Sequence, residues 1–178
     1  MAILKVCRMG QPVLRQQAQP LSPEQIQSPA LQRLIDDMIE TMEDYEGIGL
    51  AAPQVFQSLR LLVMGYPDVD EDDPKTIPLR VLINPEWIEC SAEQAEDWEG
   101  CLSIPDIRGM VPRSTTVGVR ALDREGKSIE LNISGLAARV LQHEVDHLDG
   151  ILFLDRMKAK HTLTFLQEYQ RYWQQPEE

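Results

Sequence analysis

The clearest pattern in the chain is a helical spacing of apolar residues in the segment that follows Ser28. Ser28 is a favourable N-cap, Pro29 suits the first helical position, and Gly47 supplies a C-terminal stop. The pattern therefore predicts an amphipathic helix from Pro29 to just before Gly47. The apolar positions, three and four residues apart, are Leu31, Leu34, Ile35, Met38, Ile39, Met42 and Tyr45.

Between Gly47 and about Leu131 the pattern changes to short apolar and β-branched runs that proline and glycine separate. Such runs predict β-strands, and Asp123–Gly126 between two of them predicts a hairpin turn. The predicted strands are Leu59–Met64, Arg80–Ile83, Trp87–Cys90, Met110–Val111, Thr115–Ala121 and Ser128–Ile133.

Two more helices are predicted in the last part of the chain. The first has Ser134 as its N-cap and Gly150 as its stop. The second is predicted over His161–Gln175, because Leu163, Leu166, Tyr169 and Tyr172/Trp173 form one stripe. One helix, then strands, then helices is the order of an α+β domain with antiparallel pairing. The length of 178 residues fits a single domain over residues 1–178.

The chain is strongly acidic, and its charge argues against some classes of binding partner. The chain has 17 Lys and Arg against 29 Asp and Glu, for a formal net charge of −12. A nucleic-acid-binding protein normally carries a basic patch, and an anionic membrane attracts basic segments. We therefore expect no DNA and no membrane among the partners. The acidic segment Asp68–Pro78 is predicted to be a solvated surface loop.

The three cysteines are too few, and odd in number, for the disulfide framework of a small secreted domain. Cys7 and Cys90 are interpreted as small buried apolar residues. The apolar run at the N-terminus is too short for a signal peptide, and no apolar run is long enough to cross a bilayer. These features predict a cytoplasmic protein.

Two of the three histidines lie four residues apart in His143–His147, which reads His-Glu-Val-Asp-His. Residues four apart share one helical face, so both imidazoles can reach one metal ion. Leu136 and Val140 continue this stripe, and we expect the whole face to be buried. Glu144 lies one position around, where it can act as general acid/base on a water bound to the metal. Two histidines at chance spacing are the alternative interpretation.

A catalytic metal site needs a third protein ligand, and the sequence leaves two candidates. The protease class with a third histidine ten residues after the first is excluded, because Phe153 stands at that position. Glu168 lies at a plausible distance downstream. Cys101 lies in Glu99–Pro105, a segment in which flanking glycine and proline indicate a shaped loop. His161 is interpreted as an ordinary surface residue.

Three segments in a fixed order carry a family resemblance: Gly47–Gln54 (GIGLAAPQ), Glu99–Ser103 (EGCLS) and Gln142–Leu148 (QHEVDHL). Together they resemble the peptide deformylase family. Each segment alone is moderately specific, but all three at these separations are a strong signal. The resemblance does not cover the acidic loop or about the last twenty residues.

The resemblance implies a role for each residue that matches a family motif. Cys101, His143 and His147 match the family's three metal ligands, and Glu144 matches its general acid/base. The side chain of Gln54 and the backbone N–H of Leu102 match the groups that stabilise the oxyanion. The residues expected to bind substrate are Gly47, Ile48, Gly49 and Arg108. Arg108 and Arg113 could each contact peptide carbonyls or pair with Glu99, and the sequence leaves both options open.

The family's reaction is removal of the formyl group from the N-terminal formylmethionine of newly made polypeptides. The implied cofactor is one divalent metal ion, most often Fe²⁺, with Ni²⁺, Co²⁺ or Zn²⁺ able to replace it. The implied partners are N-formylmethionyl nascent polypeptides, together with a transient ribosome contact. The implied fold is α+β, with antiparallel β-sheets packed around a central metal-binding helix and with an N-terminal and a C-terminal helix.

Two other functions remain open from the residues alone. The first is a zinc endopeptidase in which Glu168 is the third ligand of His143 and His147. The second is a non-catalytic module that holds a structural metal. Replacement of Cys101 by serine separates the first from a deformylase, and replacement of Glu144 by alanine separates the second.

Overall fold

The computed structural model describes residues 2–66, 69 and 76–174. Most of the predicted acidic loop, Asp68–Pro78, and the end of the predicted C-terminal helix lie outside these residues. The helices are α1 (Pro23–Ile26), α2 (Pro29–Asp44), α3 (Gly135–Leu148), α4 (Phe153–Arg156) and α5 (Leu166–Tyr172). The strands are β1 (Gly49–Ala51), β2 (Leu61–Met64), β3 (Arg80–Cys90), β4 (Gln94–Cys101), β5 (Ile104–Ser114), β6 (Thr116–Leu122), β7 (Ser128–Ser134) and β8 (Thr164–Phe165).

The strands form two antiparallel sheets, one of five strands in the order β1-β2-β3-β6-β7 and one of three in the order β4-β5-β8. Helix α3 packs against β1, β2, β6 and β7 of the first sheet and against β5 of the second. It therefore lies between the two sheets. The predicted fold class, antiparallel sheets around a central helix, is confirmed.

Helix α2 covers one face of the five-stranded sheet and forms a core with it. The predicted N-cap is present, because the Leu31 backbone N–H donates to Ser28 Oγ over 3.2 Å. Ile35 and Met38 are fully buried on the predicted stripe. The predicted stop at Gly47 is wrong by one residue. Glu46 takes the left-handed conformation that ends the helix, with φ of 53°.

Strands account for most differences between the prediction and the structure. The two runs Arg80–Ile83 and Trp87–Cys90 are parts of one strand, β3, which pairs with β6 through two register shifts. The run Met110–Val111 is the centre of the longer β5, whose partner β4 was not predicted. The predicted turn at Asp123–Gly126 is confirmed, and the Gly126 N–H donates to the Asp123 carbonyl over 3.0 Å.

The C-terminal helix begins later than predicted. The segment after His161 first forms the short strand β8, which pairs with β5 at Ile107 and Arg108, and α5 starts only at Leu166. Long-range pairing with β5 therefore replaces the first helical turns that the apolar stripe predicts. No helix in the part of the chain that the structure describes is long and apolar enough to span a bilayer.

Candidate metal centre

Helix α3 presents two histidines and a glutamate to the space between the sheets. Its opposite face packs on the five-stranded sheet through Ala138, Leu141, Val145 and Leu148, and this packing fixes the rotation of the helix. His143 and His147 follow one another by one turn, and their ring centroids are 5.0 Å apart. The predicted stripe is buried only at this end, because Leu136 is 55% exposed at the start of the helix.

Cys101 faces these histidines from the last position of β4. The chain turns back directly after it, so that Cys101 pairs with Ile104 at the start of β5. Its Sγ lies 3.2 Å from His147 Nε2. One donor atom from each of Cys101, His143 and His147 lies within 4.8 Å of the others. One thiolate and two imidazoles form a three-ligand set that suits a divalent transition metal and leaves a coordination position open.

Glu99 forms a hydrogen bond with the Nδ1 side of the His143 ring. Its Oε2 lies 2.9 Å from His143 Nδ1, which leaves Nε2 of the same ring for a metal ion. Burial alone would raise the pKa of Glu99, but hydrogen bonds from His143 and Arg113 lower it to about 2. A permanently ionised carboxylate at this position fixes the orientation of the imidazole. The sequence alone does not reveal this role, although Glu99 belongs to the EGCLS segment that carries the family resemblance.

Arg113 ties this carboxylate to α3. Its guanidinium donates to both oxygens of Glu99, over 2.9 and 3.0 Å, and to Asp146 over 2.5 Å. Arg139 also donates to Glu99, over 2.9 Å, and Arg156 pairs with Asp146. The side chains of Arg113, Glu99 and Asp146 are less than a tenth exposed. The structure thus settles the question that the sequence left open for Arg113, which pairs with Glu99.

Glu144 is the buried carboxylate beside the metal-capable group. It is only 4% exposed, and its Oε2 has no hydrogen-bond partner among the described residues. Burial raises its pKa to about 7. A carboxyl group with such a pKa can both take up and release a proton near neutral pH. The Glu144 side chain fits at this position only because residue 49 is a glycine, since a Cβ atom there would lie 2.5 Å from Glu144 Oε1.

The Gln54 side chain lies next to the Cys101 thiol of the metal-capable group. Its Oε1 accepts a hydrogen bond from the Ala51 N–H over 2.8 Å, which orients the amide. Its Nε2 then points toward Ser103 Oγ, at 3.3 Å, and Cys101 Sγ, at 3.7 Å. The amide donor is therefore held next to the Cys101 thiol by the backbone of its own turn.

A cavity of about 950 Å³ opens over these residues. One wall is the segment Gly47–Gly49, which enters β1, an edge strand of its sheet among the described residues. Leu102 and Arg108 also line the cavity, Leu102 next to Gly47 and the Arg108 guanidinium next to Gly100. All the predicted substrate-binding residues thus line one cavity, which they share with Cys101, His143, Glu144 and Gln54.

Other candidates from the sequence lie elsewhere. Glu168 lies on α5 and is not part of the metal-capable group among the described residues. Cys7 is buried, as predicted, but Cys90 is exposed, because the outer half of β3 lies in solvent. His161 is exposed at the surface, as predicted.

Comparison with known proteins gives one consistent result. The model of the polypeptide deformylase family matches residues 3–162. Peptide deformylase 2 of Nostoc is 40% identical over 174 residues, which cover 94% of this chain and 93% of the relative. A peptide deformylase of Dehalococcoides mccartyi is 44% identical over 163 residues, which cover 92% and 91% of the two chains.

Solved structures agree with the sequence relatives. A Met-Ala-Ser-bound class I type b peptide deformylase from Acinetobacter baumannii superposes with a TM-score of 0.81 at 40% identity, covering 88% of this chain and 99% of the other. The peptide deformylase from Thermotoga maritima gives a TM-score of 0.79 at 39% identity, covering 89% and 99%. Sequence, fold and the arrangement of the metal-capable group thus lead to one conclusion: this chain belongs to the polypeptide deformylase family.

Proposed function

We propose that this protein is a metal-dependent hydrolase that removes the formyl group from the N-terminal formylmethionine of newly synthesised polypeptides. The observation that carries the proposal is the location of Glu144. Its buried carboxylate, whose Oε2 has no hydrogen-bond partner among the described residues, lies in one cavity with Cys101 and His143, next to the edge strand β1. That combination would bring side chains that can hold a metal ion, a proton acceptor and a place for an extended peptide into one space.

The segment Gly47–Gly49 would bind the start of the polypeptide. An edge strand presents backbone N–H and C=O groups that pair with an added peptide strand. Gly47 and Gly49 carry no side chains, so a substrate backbone can approach this edge closely. Ile48 lines the same cavity, and so does Arg108, whose guanidinium can donate to peptide carbonyls. The bound formylmethionine would then place its formyl group over the metal-capable group.

Cys101, His143 and His147 would hold the metal ion, and Fe²⁺ is the ion that we propose, with Ni²⁺, Co²⁺ or Zn²⁺ as possible replacements. When bound, the ion supplies Lewis acidity, which polarises the formyl carbonyl and makes water more acidic. The soft thiolate beside two imidazoles supports a transition metal at this position. Glu99 fixes the His143 ring, so that this ligand is already oriented before an ion binds.

Glu144 would move the proton. It takes the proton from the attacking water and later returns it to the amine that leaves when the formyl C–N bond breaks. Its pKa of about 7 suits both steps. Negative charge develops meanwhile on the formyl oxygen. The Gln54 amide and the Leu102 backbone N–H would stabilise that charge, each contributing about 3–4 kcal/mol.

The proposed substrate also indicates the cellular compartment in which the protein acts. Because newly made polypeptides carry the formyl group, we propose that this single domain of residues 1–178 acts in the cytoplasm and contacts the ribosome transiently. The three cysteines are unpaired, which supports a reducing compartment. The endopeptidase alternative is not favoured, because Glu168 lies outside the metal-capable group.

The test is formate release from formyl-Met-Ala-Ser by the purified protein loaded with iron or nickel. We expect steady turnover with this peptide and none with acetyl-Met-Ala-Ser. Absence of formate release from a sample with one metal ion per chain would overturn the proposal.

The third ligand is tested separately. Cys101→Ser should lose or greatly weaken metal binding, whereas Cys90→Ser, a change at an exposed cysteine, should bind metal normally. Unchanged metal binding in Cys101→Ser would contradict the ligand assignment and support a site built on another third ligand.

A further inference from the structure

The C-terminal segment contributes to the cavity although it lies beyond the region that the family model matches. That match ends at residue 162, and β8 begins at Thr164. Phe165 pairs with Ile107 of β5, and this pairing brings Leu166, the first residue of α5, to the cavity wall. Part of the cavity is therefore built by a segment beyond the residues that the family model matches.

Aromatic side chains pack α5 and the residue that follows it against Trp98 of β4. The Trp98 ring of β4 lies 5.0 Å from the ring of Tyr169 and 5.6 Å from the ring of Trp173, with tilted planes in both pairs. Trp98 also lines the cavity. The two rings of the C-terminal segment thus hold Trp98 and Leu166 together as one surface, which we call the apolar shelf.

The apolar shelf is accessible from the cavity, and the charged side chain of Arg108 borders it. Trp98 and Leu166 are only partly buried, while Arg108, which pairs with Thr164 of β8, lies beside them. An apolar surface with a polar border, open to a site of about 950 Å³, is typical of a ligand-binding surface. The cavity has room for more than one amino-acid residue.

We propose that the apolar shelf binds an apolar side chain of the substrate one or two residues after the formylmethionine. The inference rests on the proposed function, since a deformylase substrate continues as a polypeptide beyond its first residue. An extended chain advances about 3.3 Å per residue, so a cavity of about 950 Å³ can hold one or two residues beyond the formylmethionine. Successive side chains point to opposite sides, so where two consecutive residues run along the shelf, one of them directs its side chain to it.

The test compares kcat/KM for formyl-Met-Leu-Ala, formyl-Met-Ala-Leu and formyl-Met-Ala-Ala. We expect the wild-type protein to prefer one of the leucine peptides over the alanine peptide by about three- to tenfold, mostly through KM. Leu166→Ala should reduce this ratio to below twofold, and Leu166→Met should retain most of it. Leu163→Ala removes an exposed leucine that does not line the cavity and should leave the ratio unchanged.

The ratio is measured within each variant, so a partial loss of folding or of metal does not affect it. If the wild-type protein cleaves all three peptides with equal kcat/KM, or if Leu166→Ala retains the full preference, the shelf is not a subsite and the proposed function still stands. If the metal-loaded wild-type protein releases no formate from any of the three, the proposed function itself fails.

Discussion

Replacing Gly49 by alanine is expected to remove most of the catalytic activity while the metal ion stays bound. A Cβ atom at position 49 would lie 2.5 Å from Glu144 Oε1 and 2.8 Å from Cδ and Cγ of the same side chain. Glu144 is 4% exposed, so it has little room to move away. The added methyl group therefore changes the position of the carboxylate and leaves the three proposed metal ligands unaltered.

The size of the effect follows from these distances. Ordinary contact begins near 3.4 Å, so the Glu144 side chain and the new methyl group must separate by about 0.6–0.9 Å. A misplacement of about 1 Å of a reacting group costs about 100-fold in rate, which corresponds to about 2.7 kcal/mol in the activation barrier. Crowding of the core lowers the free energy of unfolding by about 1–3 kcal/mol as well.

The assay is formate release from formyl-Met-Ala-Ser at saturating substrate, with the metal content of each sample measured in parallel. Gly118→Ala is the control, because this strand glycine lies outside the cavity. The nearest atom to its added Cβ would be Cγ of the exposed Glu89, at 3.1 Å, and the next atoms would lie at ordinary contact distances of 3.5 and 3.6 Å. We expect a control kcat near that of the wild type. A Gly49→Ala protein with full metal content and a kcat within threefold of the wild type would refute the reasoning.

Three further outcomes follow from the buried charges and the thiolate. Glu99→Gln should weaken metal binding about 10–100-fold in a chelator competition, because His143 loses its ionised partner; unchanged affinity would contradict this. Arg113→Met should lower the free energy of unfolding by about 3–5 kcal/mol in urea, whereas Arg120→Met at an exposed pair should cost less than about 1 kcal/mol. Iron-loaded protein should lose activity in air faster than nickel-loaded protein, since Cys101 and iron(II) are both oxidisable, and equal half-times would count against such a site.

The sequence predicted those parts of the fold in which one face of an element is buried. Helices α2 and α3 follow from their apolar stripes. The two histidines of the metal-capable group follow from their four-residue spacing, whereas Cys101 follows from the family resemblance of the EGCLS segment. Strand β4 escaped prediction because its first four residues are all exposed and carry no alternation. It is held instead by pairing with β5, and pairing between distant segments leaves no local pattern.

The supporting residues of the site were harder to predict for a related reason. A glutamate is rarely buried unless it is paired, and the sequence does not show which arginine will reach it. Glu99 acquires its role only when the fold brings Arg113 and His143 to it from β5 and α3. The late start of α5 has the same origin, since Phe165 pairs with Ile107 across a long separation in sequence.

The most direct test of the account is the rate of formate release per bound metal ion in the wild-type protein and in Glu144→Ala. We expect equal metal content in the two proteins, because Glu144 is not one of the proposed ligands. It predicts turnover by the wild type and a loss of about 100- to 10,000-fold in the variant. Equal turnover per metal ion in both proteins would contradict the account, since Glu144 would then play no part in the reaction.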